Sequence, residues 1–305
     1  MTHHLCGRRV PSSVEPLALS DRLPVRHDLM GGTALPDNGW PADRIDTEHA
    51  HSARIYDYIL GGKDYYPADK EAGDAMAHEW PALPVHMRAN RDWMNRAVRW
   101  LAEKAGMRQF LDIGTGIPTS PNLHEIAQSV APESRVVYVD NDPIVLTLSQ
   151  GLLASTPEGR TAYIEADFQD PETVLGSPEF AETLDLSKPV ALTVIAIVHF
   201  VLDEDDAVGI VRRLLEPLPS GSYLAMTIAT AEFAPEEVGR VAREYAARDM
   251  PMRLRTIDEA HEFFDGLELV EPGIVQVHKW HPDGTGEENI RDEDIAMYGA
   301  IARKP

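Results

Sequence analysis

From Gln109 onward, short runs of β-branched residues alternate with longer amphipathic segments. This alternation is typical of βαβ units, in which each helix crosses over a parallel sheet. We therefore predict an α/β fold with a mostly parallel sheet. The predicted strands are 109–113, 135–139, 161–165, 190–196 and 221–228, followed by two or three more near 267–270, 274–278 and 295–302.

The region before this series has a different pattern. Residues 1–49 are rich in proline, contain Gly31-Gly32 and show no sustained apolar period, so we predict a disordered tail that cannot bury enough apolar surface to fold. Helical patterning begins near Ser52, breaks at Gly61-Gly62, and resumes over 67–80 and 86–104. We expect residues 50–106 to form a helical cap and residues 107–305 to form the main domain.

Composition narrows the function classes. The chain has 28 basic and 50 acidic residues and a formal net charge of −22, a field that repels nucleic acid. Its single cysteine, Cys6, excludes an internal disulfide, and no secretory signal is evident. The longest apolar run, Val190 to Leu202, is shorter than the ~20 residues that span a bilayer. These features predict a cytoplasmic protein that binds neither nucleic acid nor membrane.

The stretch "FLDIGTGIP" places two glycines directly after the first strand of the series. Glycines at that point let a ligand approach the backbone, and the following helix directs free N–H groups toward it. The dinucleotide fingerprint requires a third glycine where this chain has Thr119. Asp112 would also repel a pyrophosphate and would suit an ammonium or sulfonium cation instead.

The next two strands also end in acidic residues. Asp140 ends the second strand, where a carboxylate commonly accepts the hydroxyls of a ribose. Asp167 and Phe168 end the third strand, where they could accept a hydrogen bond from an adenine amino group and stack on its ring. Ribose, adenine and a cationic end together describe S-adenosylmethionine. An acid at a strand end is also often only the cap of the next helix.

The chain resembles the class I methyltransferases that use S-adenosylmethionine, and in particular an uncharacterised branch abundant in actinobacteria. The resemblance extends from about Ser52 to Lys304. It rests on the motifs "ARIYDYILGGKD", "QFLDIGTGIPT", "VVYVDNDPIV" and "LPSGSYLAMT". It implies a Rossmann-like sheet of seven strands, the last of them antiparallel and near Ile295 to Arg303.

The resemblance also implies roles for individual residues. Asp112, Gly114 and Gly116 would line the methionine part of the cofactor, Asp140 the ribose, and Asp167 with Phe168 the adenine. Thr115 and Asn141 adjoin these residues in the same motifs and complete the predicted set on the sheet. Lys63 of the cap would reach the cofactor carboxylate or the acceptor.

Catalytic residues are marked less clearly. His199 follows the fourth strand, where substrates meet the cofactor in open α/β sheets, and could act as a general base or simply be a histidine at the sheet rim. The stretch "YDYILGGKDYY" could form a lid hinged at the double glycine, with Tyr58 or Tyr66 as further candidate bases. The alternative is a helix that ends at Gly61 with its aromatic residues packed inside.

No metal site is predicted, because the histidines at His124 and His261 lack the second histidine of a zinc-protease helix. The sequence therefore predicts a methyltransferase that moves the methyl group of S-adenosylmethionine to a small molecule. Two alternatives remain open at this point. One is an NAD-dependent dehydrogenase, and the other is a regulatory protein that binds S-adenosylmethionine without turnover.

Overall fold

A computed structural model of the protein describes residues 45–152, 154–284 and 289–305. The predicted disordered tail, 1–49, therefore lies outside the described residues except for its last five positions. All of the described residues belong to one compact unit.

Eight strands form a single sheet in the described part of the chain. They are β1 Gln109–Ile113, β2 Arg135–Asp140, β3 Arg160–Glu165, β4 Ala191–Val194, β5 Tyr223–Ala229, β6 Glu268–Leu269, β7 Val275–Gln276 and β8 Met297–Arg303. The order across the sheet is β3-β2-β1-β4-β5-β8-β6, and β7 also pairs with β8. The predicted bounds of β1 to β5 lie within two residues of the observed ones.

The directions of the strands confirm the predicted topology. Strands β1 to β5 are parallel, whereas β8 runs antiparallel to β5. Strands β6 and β7 pair with opposite ends of β8, with Glu268 opposite Arg303 and Val275 opposite Gly299. Because both lie on the same side of β8, they form one interrupted edge strand. The sheet thus has seven strand positions, as expected of the predicted α/β class.

Ten α-helices surround this sheet in the described residues. Helices α1 Ser52–Ile59, α2 Pro67–Glu79 and α3 Leu83–Glu103 precede the sheet; α4 Leu123–Val130, α5 Pro143–Leu152, α6 Pro171–Leu175, α7 Pro178–Thr183 and α8 Ala207–Leu215 connect the parallel strands; α9 Pro235–Ala246 and α10 Ile257–Glu262 follow β5. Helix α3 begins three residues before its predicted start at 86, because Pro84 fits the first turn of a helix, where its missing N–H is not needed.

The sheet is covered on both faces, and this holds its strand ends in place. Every residue of β1 is buried. Phe110 packs into the hydrophobic cluster on one face, with Trp93 and Ile126, whereas Leu111 and Ile113 pack into the cluster on the other face. A parallel strand buried on both sides reads as a continuous apolar run, which is why β1 was recognisable in the sequence. The loops after the strands therefore start from fixed positions.

Candidate active site

One cavity of about 620 Å³ opens at the carboxyl ends of the parallel strands, within the range of small-molecule sites. It is bordered by the loops after β1, β2, β3 and β4, and by α1, α3 and α9. Most of the residues predicted from the sequence line it: Asp112, Gly114, Thr115, Gly116, Asp140, Asn141, Asp167, Phe168 and His199. The carboxyl ends of parallel strands are where open α/β sheets bind ligands.

The glycine loop after β1 is fixed to the end of β2. The amides of Gly114 and Thr115 both donate to the carbonyl of Val139, at 2.8 and 3.1 Å. Gly114 and Gly116 have φ angles of +69° and +70°, a region that strongly favours glycine. A Cβ on Gly114 would lie 2.0 Å from Cγ1 of Ile197, whereas a Cβ on Gly116 would meet no atom within 4 Å. Gly116 therefore leaves open space at the cavity wall.

Asp140 closes the loop from the other side. Its Oδ2 accepts the amide of Gly116 at 2.8 Å, and its Oδ1 accepts the amide of Asp142 at 3.0 Å. Burial raises the pKa of Asp140, and these two amide hydrogen bonds oppose that shift. Because each carboxylate oxygen can accept more than one hydrogen bond, Asp140 can still bind the hydroxyl groups of a ligand.

Asp112 lies deeper, at the end of β1. Its Oδ1 accepts a hydrogen bond from Oγ1 of Thr193 on β4 at 2.5 Å. Burial raises the pKa of Asp112 to about 6, and the nearby charge of Arg91 and the hydrogen bonds from Thr193 and Thr115 oppose the shift. A buried carboxylate with this pKa gains from a cationic ligand, which would replace the solvation that it has lost.

The residues predicted to hold the adenine lie at the end of β3. Phe168 is buried and Asp167 is exposed. The carboxylate of Asp167 accepts hydrogen bonds from the side chain of Asn141 at 2.9 Å and from the amide of Gln169 at 2.8 Å. Asn141 thus links the loops after β2 and β3 and fixes the orientation of Asp167.

Three of the predicted site residues do not line this cavity in the described structure. The hydroxyl of Tyr58 donates to Asp74 at 2.5 Å and accepts from Lys70 at 2.9 Å, away from the cavity. The ring of Tyr66 packs against the guanidinium of Arg54, 5.5 Å from the ring centre. Lys63 lies in the loop between α1 and α2. The structure therefore does not bring Tyr58, Tyr66 or Lys63 to the position that the sequence suggested.

The double glycine has a local role in this loop. Gly61 has a φ of +84° just after the end of α1. A Cβ on Gly62 would lie 2.0 Å from the carboxylate of Asp57. That carboxylate accepts the amide of Asp64 at 2.9 Å, and the carbonyl of Asp57 accepts the amide of Gly62 at 2.8 Å. The glycines allow the loop to fold closely around Asp57, which agrees with the alternative of a helix that ends at Gly61.

Helix α3 supplies cavity residues that sequence reasoning missed. His86, Met87, Asn90, Arg91 and Met94 follow a helical spacing of three and four residues and all line the cavity. A guanidinium nitrogen of Arg91 donates to the carbonyls of Thr119 and Pro121, so the side chain extends beside the glycine loop. The sequence signal that could have identified them was the presence of polar residues, such as His86 and Asn90, on a helix face that is otherwise apolar.

The same helix brings a hydrogen-bonded pair to the cavity. The side-chain amide of Asn90 donates to the hydroxyl of Tyr56 at 3.1 Å, and that hydroxyl donates to the carbonyl of Met87 at 3.0 Å. Both residues line the cavity. Tyr56 and Tyr58 belong to the same sequence stretch, "YDYILGGKDYY", but of these two residues only Tyr56 lines the cavity.

A buried ionic cluster joins α1 to the loop after β2. Nε of Arg54 lies 3.1 Å from Oδ2 of Asp142, and its Nη1 lies 3.6 Å from Oδ2 of Asp69 on α2. His51 approaches the same Asp142 oxygen at 3.2 Å. Since the amide of Asp142 donates to Asp140, this cluster connects α1 and α2 to the predicted ribose site.

Comparison with known proteins identifies the family. The family model described as S-adenosyl methyltransferase matches residues 38–305. The chain belongs to the S-adenosyl methyltransferase family. No curated protein matches the chain.

Two solved structures are similar to this methyltransferase over most of its length. One is a protein of the DUF574 family from Streptomyces avermitilis, 86% identical, with a TM-score of 0.85, covering 86% of this chain and 100% of its own. The other is described as a "putative methyltransferase" from Thermobifida fusca, 37% identical, with a TM-score of 0.79, covering 87% of this chain and 99% of its own. The expected likeness to actinobacterial methyltransferases is confirmed.

The cofactor of this family is S-adenosylmethionine, and the residues of the cavity fit it. The open space beside Gly116 and the buried carboxylates of Asp140 and Asp112 match a ligand with hydroxyl groups and a cationic end. Within the described ranges, no group of three or more His, Cys, Asp or Glu side chains could hold a metal ion, and no helix has the length and apolar character that a bilayer requires.

Proposed function

We propose that the protein transfers the methyl group of S-adenosylmethionine to a small molecule bound in the same cavity. The observation that carries the proposal is the convergence of Gly116, Asp140, Asp112 and His199 on one cavity at the carboxyl ends of the strands. S-adenosylmethionine supplies a methyl group on a cationic sulfur, which a nucleophile of the acceptor attacks. A cytoplasmic location and the absence of nucleic-acid and membrane partners remain predictions of the sequence.

Each part of the cofactor has a proposed partner. Asp140 accepts hydrogen bonds from the ribose hydroxyls, and Phe168 packs on the adenine ring. Asn141 holds the carboxylate of Asp167 in place, where it accepts a hydrogen bond from the amino group of the adenine. Asp112 faces the ammonium group, and Thr115 and the two glycines leave room for the methionine chain. Arg91, rather than Lys63, takes the carboxylate, because its guanidinium lies beside the glycine loop.

His199 is the proposed general base. It lies in the short turn Val198–Phe200 after β4, is 5% exposed, and its Nδ1 has no hydrogen-bond partner among the described residues. The amide of Arg253 donates to its carbonyl at 2.8 Å, and the guanidinium of Arg255 donates to the carbonyls of Val198 and Val201, both at 2.9 Å. The turn is thus fixed. Burial lowers the pKa of His199 to about 3, so Nδ1 is a weak base that takes the proton of the acceptor only as the methyl group is transferred, when that proton becomes strongly acidic.

Calorimetry followed by turnover tests the proposal. We expect S-adenosylmethionine and S-adenosylhomocysteine to bind and NAD not to bind, because Asp112 and Thr119 disfavour a pyrophosphate. Binding of NAD without either sulfur compound would support a dehydrogenase. Tight binding of S-adenosylmethionine with no S-adenosylhomocysteine formed across a broad acceptor panel would support a regulatory protein instead.

A further inference from the structure

The cavity extends beyond the part assigned to the cofactor. Because the sheet order is β3-β2-β1-β4-β5, the cofactor residues occupy the half above β3, β2 and β1. The other half is bordered by the segments after β4 and β5 and by helices α3 and α9. Its apolar walls are buried members of one hydrophobic cluster: Trp80, Leu83, Met87, Val238, Val241 and Tyr245.

This apolar half contains two buried polar atoms that have no hydrogen-bond partner among the described residues. Asn90 is 1% exposed, and because its amide nitrogen donates to Tyr56, its Oδ1 is left as a buried acceptor with no partner among the described residues. Nδ1 of His199 is the second such atom, and it is an acceptor in the tautomer that carries the ring proton on Nε2. A buried polar atom without a partner is costly, so a compound that fills this half must bring hydrogen-bond donors.

His86 supplies the complementary donor. Its Nδ1 accepts the amide of Ala296 at 3.2 Å, which places the ring proton on Nε2. Burial lowers the pKa of His86 to about 4 and that of His199 to about 3, and the proximity of His86 contributes to the lower pKa of His199. Both rings are therefore neutral at pH 7, so His86 presents Nε2–H as a donor and His199 can present Nδ1 as an acceptor.

The charged side chains near this half already have partners or are exposed to solvent. Arg248, after α9, pairs with Glu244 at 2.7 Å. Asp57 on α1 accepts the amide of Asp64, and Arg54 is engaged by Asp69 and Asp142. Asp249 is exposed. A charged acceptor would thus lose its hydration without gaining a free ion-pair partner.

We propose that the methyl acceptor is a neutral, largely apolar compound whose hydroxyl group accepts a hydrogen bond from Nε2–H of His86 and donates one to Nδ1 of His199. This inference rests on the proposed methyltransferase function. A carboxylate in this position would face the lone pairs of His199 and Asn90. An ammonium group would be buried beside the cationic sulfur of the cofactor, which repels it.

Four probes that share a naphthalene ring and differ in the substituent at position 2 test the proposal on protein saturated with S-adenosylhomocysteine. They are 2-naphthol, 2-methylnaphthalene, 2-naphthoate and (2-naphthyl)methylammonium, with dissociation constants measured by NMR titration. We expect 2-naphthol to bind about tenfold more tightly than the other three, the effect of a buried hydrogen bond in an apolar site. Equal or tighter binding of either charged probe, or no binding of 2-naphthol, would overturn the proposal.

Three variants locate the hydroxyl group. His199→Phe keeps a ring but removes the acceptor, so the preference for 2-naphthol over 2-methylnaphthalene should fall to less than about threefold. His86→Asn removes the Nε2–H donor and should reduce the preference in the same way. Asparagine is chosen because its side-chain oxygen can still accept the hydrogen bond from the amide of Ala296. The control is His124→Phe, which alters a buried histidine that does not line the cavity and should keep the full preference. A full preference in His199→Phe would overturn the proposal.

The binding of S-adenosylhomocysteine itself distinguishes failure of the proposed function from failure of the proposed acceptor class. If it does not bind, the proposed function fails and this inference fails with it. If it binds and the probes do not show the expected preference, only the identity of the acceptor class fails. Turnover is not needed for either conclusion.

Discussion

Nε of Arg54 lies 3.1 Å from Oδ2 of Asp142, and both side chains are 4% exposed. Neither atom has a hydrogen-bond partner among the described residues, so the contact is a close approach of two charges, and the carboxylate of Asp69 lies nearby, 3.6 Å from the same guanidinium. The carbonyl of Asp46 also accepts from this guanidinium at 2.7 Å. One arginine thus connects residues before α1, helix α2 and the loop after β2.

Replacing this arginine should destabilise the protein strongly. Arg54→Met would leave Asp69 and Asp142 buried without the guanidinium that lies between them, and breaking a buried pair in this way costs about 3–5 kcal/mol. Urea unfolding measures the change in the free energy of unfolding. The matched control is Arg99→Met, whose partner Glu103 is 3.7 Å away on the surface of α3. Its loss should stay below ~1 kcal/mol, and equal losses in the two variants would contradict the prediction.

Gly116 and Gly106 offer a matched test of where the cofactor lies. Their φ angles are +70° and +69°, and a Cβ on either would meet no atom within 4 Å. Substitution of either glycine by alanine should therefore lower the free energy of unfolding by about 1–2 kcal/mol, because the backbone would be strained at a positive φ. Of these two glycines, only Gly116 lines the cavity.

Gly116→Ala should thus weaken S-adenosylmethionine binding at least tenfold in calorimetry, because the new methyl group occupies the space of the cofactor. Gly106→Ala should lose a similar amount of stability and keep the affinity of the wild type. If both variants bind equally well, the cofactor does not pass over Gly116.

The strands and the cofactor motifs were predictable because their signals are local. β1 is a continuous apolar run, and Asp112, Gly114 and Gly116 follow it within a few residues. The wall of the acceptor half depends on contacts between distant segments. The hydrogen bond from Ala296 to His86 joins residues 210 positions apart. No local pattern distinguishes Tyr56, which lines the cavity, from Tyr58, which does not.

Asp140 should carry much of the affinity for the ribose. Charge-assisted hydrogen bonds contribute about 1.5–3 kcal/mol each, so Asp140→Ala should raise the dissociation constant of S-adenosylmethionine at least tenfold. The variant also loses the acceptor for the amides of Gly116 and Asp142. Asp170→Ala is the control, since Asp170 caps α6 outside the cavity. An unchanged dissociation constant in Asp140→Ala, measured on folded protein, would remove this residue from the site.

The raised pKa of Asp112 predicts how cofactor binding depends on pH. With a pKa of about 6, Asp112 is neutral below that pH in the free protein and must lose its proton to bind an ammonium group. The affinity for S-adenosylmethionine should therefore fall up to about tenfold for each pH unit below 6, with a proton released on binding. Calorimetry in buffers of different ionisation enthalpy measures that proton. Asp112→Asn should bind weakly and lack this component.

The same pKa predicts a conflict between stability and cofactor binding at Asp112. An ordinary aspartate titrates near 3.9, so between about pH 4 and pH 6 the unfolded chain loses a proton that the folded protein retains. Ionisation of Asp112 therefore disfavours the folded state as the pH rises through this window. Asp112→Asn, which can still accept the hydrogen bond of Thr193, should be more stable than the wild type at pH 7 by a few kcal/mol, and the difference should shrink toward pH 4. Urea unfolding at both pH values measures it, and a difference that does not change with pH would show that Asp112 is not desolvated in the protein.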